Sequence, residues 1–531
     1  MQKTLRCFLG ALFLGVLLAG CAVGPDYKKP PTAEPQEWKQ KEDPQIKSGP
    51  TELSQWWSIF NDPVLDSLIQ SAYEQNLTLR SAGVRILQAR AVLGFAVGRL
   101  YPQSQALGGY LNWNSGSETT GGSQFADLSF TEDRLGFDAA WELDFFGRFR
   151  RNVQSNIASV EASIADYDDL LVTLTAEVAR VYVLIRTSEN RLQIARDNVK
   201  IQGRSLQIAE ARFKGGAVTE LDVAQARSLL KDTEASVPRL QSSIRQSRNA
   251  LATLLGKLPG EIDSMISAPG PIPNPPAEVA VGLPAELLRR RPDIRAAERQ
   301  VAAQSPLIGR AKADLYPQFS LLGSIGFRAN TGGMSKADGA GGSSLGSMFS
   351  SEAFEFIGGP AVTWNIFNYG RIKNRVRIQD AQLQQLEINY QEAVLRAYRE
   401  VEDAMVGFLR TQEEVGFLAE SVKASKRSVD LSMIQYREGL ADYQRVLDTQ
   451  RSLVIGQDLM TATMGTVVTN LIAMYKGLGG GWEIRVGKDF VPQQVKDEMR
   501  ERTDWGELLS PAKLEMPKTE EEALKWRSPD W

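Results

Sequence analysis

Between residues 147 and 217 the chain has no proline, and its apolar side chains keep a seven-residue beat. Phe149, Val153, Ile157, Val160, Ile164, Tyr167, Leu171, Leu174, Val178 and Val181 follow in steps of three and four. Ile185, Leu192, Val199, Leu206 and Phe213 continue the series at seven-residue steps. A sustained heptad keeps its apolar stripe facing a partner only when helices wind into a left-handed supercoil. A helix of about 65 residues, at 1.5 Å per residue, spans roughly 100 Å. A second stretch, residues 372–439, reads the same way through Leu383, Leu386, Val394, Val401, Ala404 and Phe408. Gly215-Gly216 and Gly439 close the two stretches, and glycine permits the positive φ of a tight helix hairpin. Residues 221–255 and 443–475 then read as the returning helices. A generic fibrous stalk would share this periodicity.

The chain also repeats itself. Leu100-Tyr101-Pro102-Gln103 recurs as Leu315-Tyr316-Pro317-Gln318. The run from Trp141 to Arg148 recurs from Trp364 to Arg371, and Phe213-Lys-Gly-Gly216 recurs as Tyr436-Arg-Glu-Gly439. Landmarks kept in one order imply two copies of a long unit rather than a short solenoid repeat. Each copy carries two alternating segments. Leu107, Gly109, Leu111 and Trp113 share one face of the first. Leu135, Phe137, Ala139, Trp141, Leu143 and Phe145 alternate with Arg134, Gly136, Asp138, Ala140, Glu142 and Asp144 in the second. In the other copy, Phe319, Leu321, Gly323, Ile325 and Phe327 share a face, as do Phe354, Phe356, Val362, Trp364 and Ile366. Segments of this length, apolar on one side and polar on the other, are the mark of outer-membrane strands, although a half-buried soluble sheet alternates too. The joining segments 114–128 and 329–353 are rich in Gly, Ser and Thr, as external loops are. Four strands cannot close a barrel, because open edges would face lipid with unpaired backbone groups. Copies of the chain must share one barrel: two give eight strands and three give twelve.

The N-terminus reads as an export signal. Lys3 and Arg6 precede an apolar run from residue 8 to residue 19, ending Leu18-Ala19-Gly20-Cys21. The run is too short to span a bilayer and fits a cleaved signal whose cysteine takes lipid. The ending resembles a bacterial lipobox, which makes Cys21 the lipidation candidate, and by the same resemblance to bacterial lipoproteins Ala22 after it favours the outer membrane. Beyond it, residues 22–53 are rich in Pro, Lys and Glu and read as an extended tether. The expected organisation is a signal peptide over 1–20 and a lipid-anchored tether over 21–55. A first repeat over 56–256, a proline-rich linker over 257–291, a second repeat over 292–482 and a charged extension over 483–531 follow.

Composition removes most chemistry. The chain has no histidine, so His-based triads and His-ligated metal sites are impossible. Its two cysteines, Cys7 and Cys21, cannot build a thiolate metal site or a disulfide framework. No phosphate-binding glycine loop is present, and a net charge of −3 gives no basic surface for nucleic acid. No catalytic residue, cofactor or metal ligand is expected. A wall-cleaving enzyme using carboxylates alone would need a compact sugar-binding domain, which nothing here suggests.

Several of these segments closely resemble the TolC-like outer membrane efflux family, in its OprM-type lipoprotein branch. They are Cys21-Ala-Val-Gly-Pro-Asp-Tyr-Lys-Lys-Pro30, Trp56-Trp57-Ser-Ile-Phe-Asn-Asp-Pro63, Leu283-Pro284 with Leu288-Arg-Arg-Arg-Pro-Asp-Ile294, and the closing Gly-Gly-Gly-Trp482. The resemblance covers residues 1–482. It implies a mainly α fold with β: a homotrimer sharing a twelve-stranded outer-membrane barrel, four strands per chain, continuous with a periplasmic α-helical barrel. The tether and the midsection, with its seven prolines over 256–284, would form a belt around the helices. The implied function is passive conduction, with substrates received from an inner-membrane pump through a periplasmic adaptor. A secretion duct, or a non-conducting coiled-coil lipoprotein, are the alternatives. The hairpin tips, with Phe213, Gly216, Asp222, Tyr436 and Gly439, would meet the adaptor. Leu440 and Asp442 would form an apolar plug and an acidic ring at the closed periplasmic end. Pro292 and Asp293 are expected to start a helix.

Overall fold

The computed structural model describes residues 22–32, 37–40, 42–47, 53–115, 129–276, 278–282, 290–330 and 348–510. Cys21, the segment 283–289, the joining segments 116–128 and 331–347, and the tail 511–531 lie outside the described residues.

Eight α-helices and six strands are described. The helices are α1 (Pro63–Gln75), α2 (Leu77–Gly98), α3 (Arg148–Lys214), α4 (Glu220–Leu254), α5 (Pro292–Ala313), α6 (Arg371–Arg437), α7 (Tyr443–Gly477) and α8 (Gln493–Arg502). The strands are β1 (Ile46–Lys47), β2 (Ser104–Ser115), β3 (Ser129–Leu143), β4 (Val279–Ala280), β5 (Gln318–Asn330) and β6 (Phe354–Thr363). The long helices α3 and α6 are each 67 residues, and α4 and α7 are each 35. Both long helices start after a glycine with positive φ, Gly147 at 78° and Gly370 at 80°. These are the bends where strand becomes helix, a backbone geometry that side chains resist. Pro292 does open α5, after Arg291.

The two short helices α1 and α2 carry a start signal that periodicity alone passes over. Asp62 accepts from Val64 N at 3.0 Å and Leu65 N at 3.3 Å, and Pro63 follows at the first helical position. The buried faces of α1 and α2 join α3 in the main core, with Leu65, Leu68, Ile86 and Leu87 inaccessible to solvent.

Where it is described, the tether is bound to the rest of the chain rather than free. Val23 N donates to Phe146 O at 3.1 Å, Arg151 Nη1 donates to Asp26 at 2.8 Å, and Tyr27 OH donates to Glu298 at 2.9 Å. Further along, β1 pairs in parallel with β4, joining tether and midsection. Trp38 Nε1 donates to Gly282 O at 3.1 Å, and Trp56 stacks on Tyr475 with centroids 5.5 Å apart. The charged extension is also not a free tail where it is described. Arg485 binds Asp168, a fully buried carboxylate of α3 that also takes Arg295 Nη2 at 2.7 Å. Phe490, Val491, Met499 and Leu509 enter the main core. Two half-buried cations thus compensate one buried anion, which would be costly alone.

Candidate functional site

The four long strands form one antiparallel sheet in the order β2-β3-β5-β6. Its register decides the faces. Leu107 lies opposite Phe137, Phe137 opposite Ile325, and Ile325 opposite Phe356. Leu135, Phe327 and Phe354 form a second such row, and Trp141, Leu321 and Pro360 a third. All four alternating apolar sets therefore share one continuous face, since side chains alternate strictly along a strand. Leu107, Leu111, Trp113, Phe356 and Val362 on that face are exposed in the single chain. The opposite face is polar and internally paired. Arg134 reaches Asp138 at 2.5 Å and Ser324 at 2.6 Å, while Tyr110 OH donates to Glu132 at 2.8 Å and Arg328 Nε reaches the same carboxylate at 2.7 Å. Both edges, β2 and β6, lack a partner strand among the described residues. Among these residues no helix is long and apolar enough to cross a membrane.

Two boundaries differ from expectation. β3 ends at Leu143, so Asp144 does not face across the sheet. It accepts from Phe149 N at 3.2 Å and Arg150 N at 2.8 Å, satisfying free amides at the start of α3. Trp364 and Ile366 lie past the end of β6, and Trp364 Nε1 donates to Leu315 O at 3.0 Å.

At the far end of the long helices the two hairpin tips lie together. Each turns through a glycine: Gly216 at φ 70° and Gly439 at φ 74°. Ala217 N returns to Arg212 O at 2.9 Å and Leu440 N to Gln435 O at 2.8 Å, matching helix-ending bonds. Thr219 and Asp222 form a reciprocal capping box on α4, and Asp442 accepts from Arg445 N at 3.2 Å to cap α7. The tips differ in their aromatics. Phe213 is 44% exposed, but Tyr436 is only 1% exposed. Tyr436 is therefore not available on a docking surface. Its ring packs on Tyr443 at 5.3 Å, and the Arg212 guanidinium sits 4.6 Å from its centroid while donating to its carbonyl. Ser205 Oγ and Tyr443 OH, 3.2 Å apart, tie α3 to α7 nearby. Burial raises both phenol pKa values. Leu440, at 78% exposed, projects from the second tip.

The family model of the outer membrane efflux protein matches residues 68–257 and 283–480. The chain belongs to this family. It is 29% identical to nodulation protein T of Rhizobium leguminosarum bv. trifolii, over 90% of this chain and 97% of that one. It is 30% identical to the pyoverdine export outer membrane protein OpmQ of Pseudomonas putida, over 90% and 98%. Among solved structures it is similar to the outer-membrane channel OprN, with a TM-score of 0.80 and 34% identity, over 87% of this chain and all of that one. This outer membrane efflux protein is thus a channel protein of the outer membrane.

Sequence reasoning missed one cluster of functional interest. Arg99, Arg148, Arg310 and Arg375 gather where sheet meets helices. The signal was legible in the basic runs after Gly147 and Gly370, which read Arg148-Phe-Arg-Arg151 and Arg371-Ile-Lys-Asn-Arg375.

Proposed function

We propose that this protein is the exit duct of a tripartite efflux system, lipid-anchored through Cys21 and working as a homotrimer. The observation that carries this reading is the four-stranded sheet with one apolar exposed face and two open edges. Bare edges cannot stand in lipid, and three such sheets joined edge to edge make a twelve-stranded barrel within the known range. The apolar face then meets lipid and the polar face lines the lumen. The two internal repeats supply two strands and one long hairpin each, and the belt of tether, midsection and described extension girdles them.

In this arrangement 67 residues of helix give about 100 Å of conduit below the membrane. The exposed tip residues Phe213, Gly216 and Gly439, with the half-buried Asp222, would receive the periplasmic adaptor, and an inner-membrane pump supplies substrate and energy. Leu440 and Asp442, brought near the threefold axis, would narrow the periplasmic end. Three carboxylates about 6 Å apart would repel by roughly 1–3 kcal/mol per pair between water and an effective dielectric of 20. Closure must then come from helix packing and from Leu440 excluding water. The multichain barrel is tested by placing Arg at Phe137. Near mid-membrane this should cost about 2–4 kcal/mol, while Arg at Asp138 costs less. Equal damage would contradict the assigned faces. In planar bilayers Leu440→Ala should raise resting conductance. Asp442→Asn, which keeps a capping side chain, should lower cation preference. Recordings indistinguishable from the parent would move the gate elsewhere.

A further inference from the structure

Both long helices open with a basic first turn, although at α3 the Asp144 carboxylate just before the helix accepts from two of its free amides. A helix N-terminus carries partial positive charge and favours acidic side chains. Yet neither α3 nor α6 has an acidic residue in its first turn, and both open with arginine. The helices α2 and α5 end at the same level, bringing Arg99 and Arg310 beside them. Shared neighbours tie four guanidiniums together. Arg99 and Arg148 lie over the Phe149 ring, 5.3 and 5.7 Å from its centroid. Arg148 and Arg375 share Asp314, at 3.5 and 3.2 Å. Arg310 donates to Asn152 Oδ1 at 2.8 Å. Its pKa is lowered by burial and then by the charges of Arg148, Arg99 and Arg375, with Asp314 opposing. Among the described residues, the carboxylates paired with these four cations are Glu142 and Asp314.

The cluster has a definite side. Glu142, 3.0 Å from Arg148, belongs to the polar face of β3 with Glu132, Arg134 and Asp138. The cations therefore continue that polar face down onto the helices. In the proposed barrel, on which this inference rests, that face lines the lumen.

We propose that Arg99, Arg148, Arg310 and Arg375 and their symmetry copies form a cationic ring at the base of the barrel lumen. It binds small polyvalent anions, of the carboxylate or phosphate class, as they pass. Guanidinium forks match both groups bidentately. An excess of fixed cations in a confined passage raises the local anion concentration. A run of charge that breaks the helix-end rule at two corresponding places is expected at a functional site.

The test uses the full-length protein in planar bilayers of neutral phosphatidylcholine, with a KCl gradient and citrate as the probe anion. Arg99→Gln with Arg310→Gln should lower the chloride-to-potassium permeability ratio about threefold and raise the citrate needed for half-block about fivefold or more. Arg310→Lys should keep the chloride-to-potassium ratio near the parent's, because that ratio follows charge, and should recover citrate block only in part, because the guanidinium fork is lost. Arg396→Gln, in an exposed pair on α6, serves as control and should change neither. If the double variant fails to insert, Arg310→Gln alone carries the same comparison. A conducting variant with unchanged ratio and block overturns the ring. Selectivity changes seen only in bilayers containing anionic lipid would also overturn it, assigning the cluster to headgroups. A parent and a Leu440→Ala variant that both conduct no current refute the duct reading instead, so the two failures are distinguishable.

Discussion

The helices α3 and α6 have the same length, the same glycine start and the same kind of glycine end, yet they live in different surroundings. Thirty-two residues of α3 are buried against thirteen of α6. The first packs against α1, α2, α4, α5 and α7, whereas the second packs on α5 and α7. Corresponding positions, 223 residues apart, show the contrast. Val172 is buried and Leu395 exposed; Val183 is fully buried and Val406 is 41% exposed. Ile378, Ile388 and Phe417 extend the bare apolar stripe along α6. An unpaired seam on a heptad helix calls for another helix. The first hairpin buries most of its seam within its own chain; the second leaves an apolar stripe bare, which the proposed homotrimer would cover.

The largest expected effect separates those two roles. Val172→Asp buries an unpaired carboxylate and should cost several kcal/mol, leaving little folded chain by circular dichroism. Leu395→Asp should keep the helix content of the single chain and abolish trimers in native mass spectrometry. A trimer that survives Leu395→Asp would break the comparison. The tips sharpen it next. Tyr436→Ala removes a buried ring and should cost about 3–5 kcal/mol in denaturant titrations. Phe213→Ala at the matching position should cost far less, because its ring is half in solvent.

A smaller effect concerns charge. Burial, with help from Asp293, raises the Asp169 carboxyl to about 6, against the pull of Arg291 and Lys476. An acid whose pKa is higher folded than unfolded stabilises the fold in its protonated form. That contribution is whole below about pH 4 and is lost as pH rises through 6. Asp169→Asn should flatten the stability profile over that window. Glu392, its counterpart on α6, is exposed and paired with Arg396, so Glu392→Gln should leave the profile unchanged. The smallest effect is at the caps. Asp442→Ala should cost about 1 kcal/mol, and Thr219→Ala a similar amount by opening the capping box on α4. Thermal unfolding of each variant measures both.

By itself the sequence determined the elements that depend on neighbours along the chain. The heptads, the proline-free runs and the hairpin glycines marked α3, α4, α6 and α7 because helix periodicity is a local property. Alternation marked four strands, and strict alternation made their apolar sets fall on one face once register was set. The Asp62-Pro63 start of α1 was equally local and needed only capping chemistry to be read. What tertiary structure decided depends on which surfaces meet. Tyr436 and Phe213 occupy matching sequence positions, but only one lies beneath the other hairpin. Arg99, Arg148, Arg310 and Arg375 are far apart in sequence and meet because four helix ends converge at one level. The segment after Trp482 is charged by composition. It nevertheless sends Phe490, Val491, Met499 and Leu509 inside, because Asp168 holds Arg485 against α3. Burial and charge clustering are sums over long-range contacts, and no spacing along the chain encodes them.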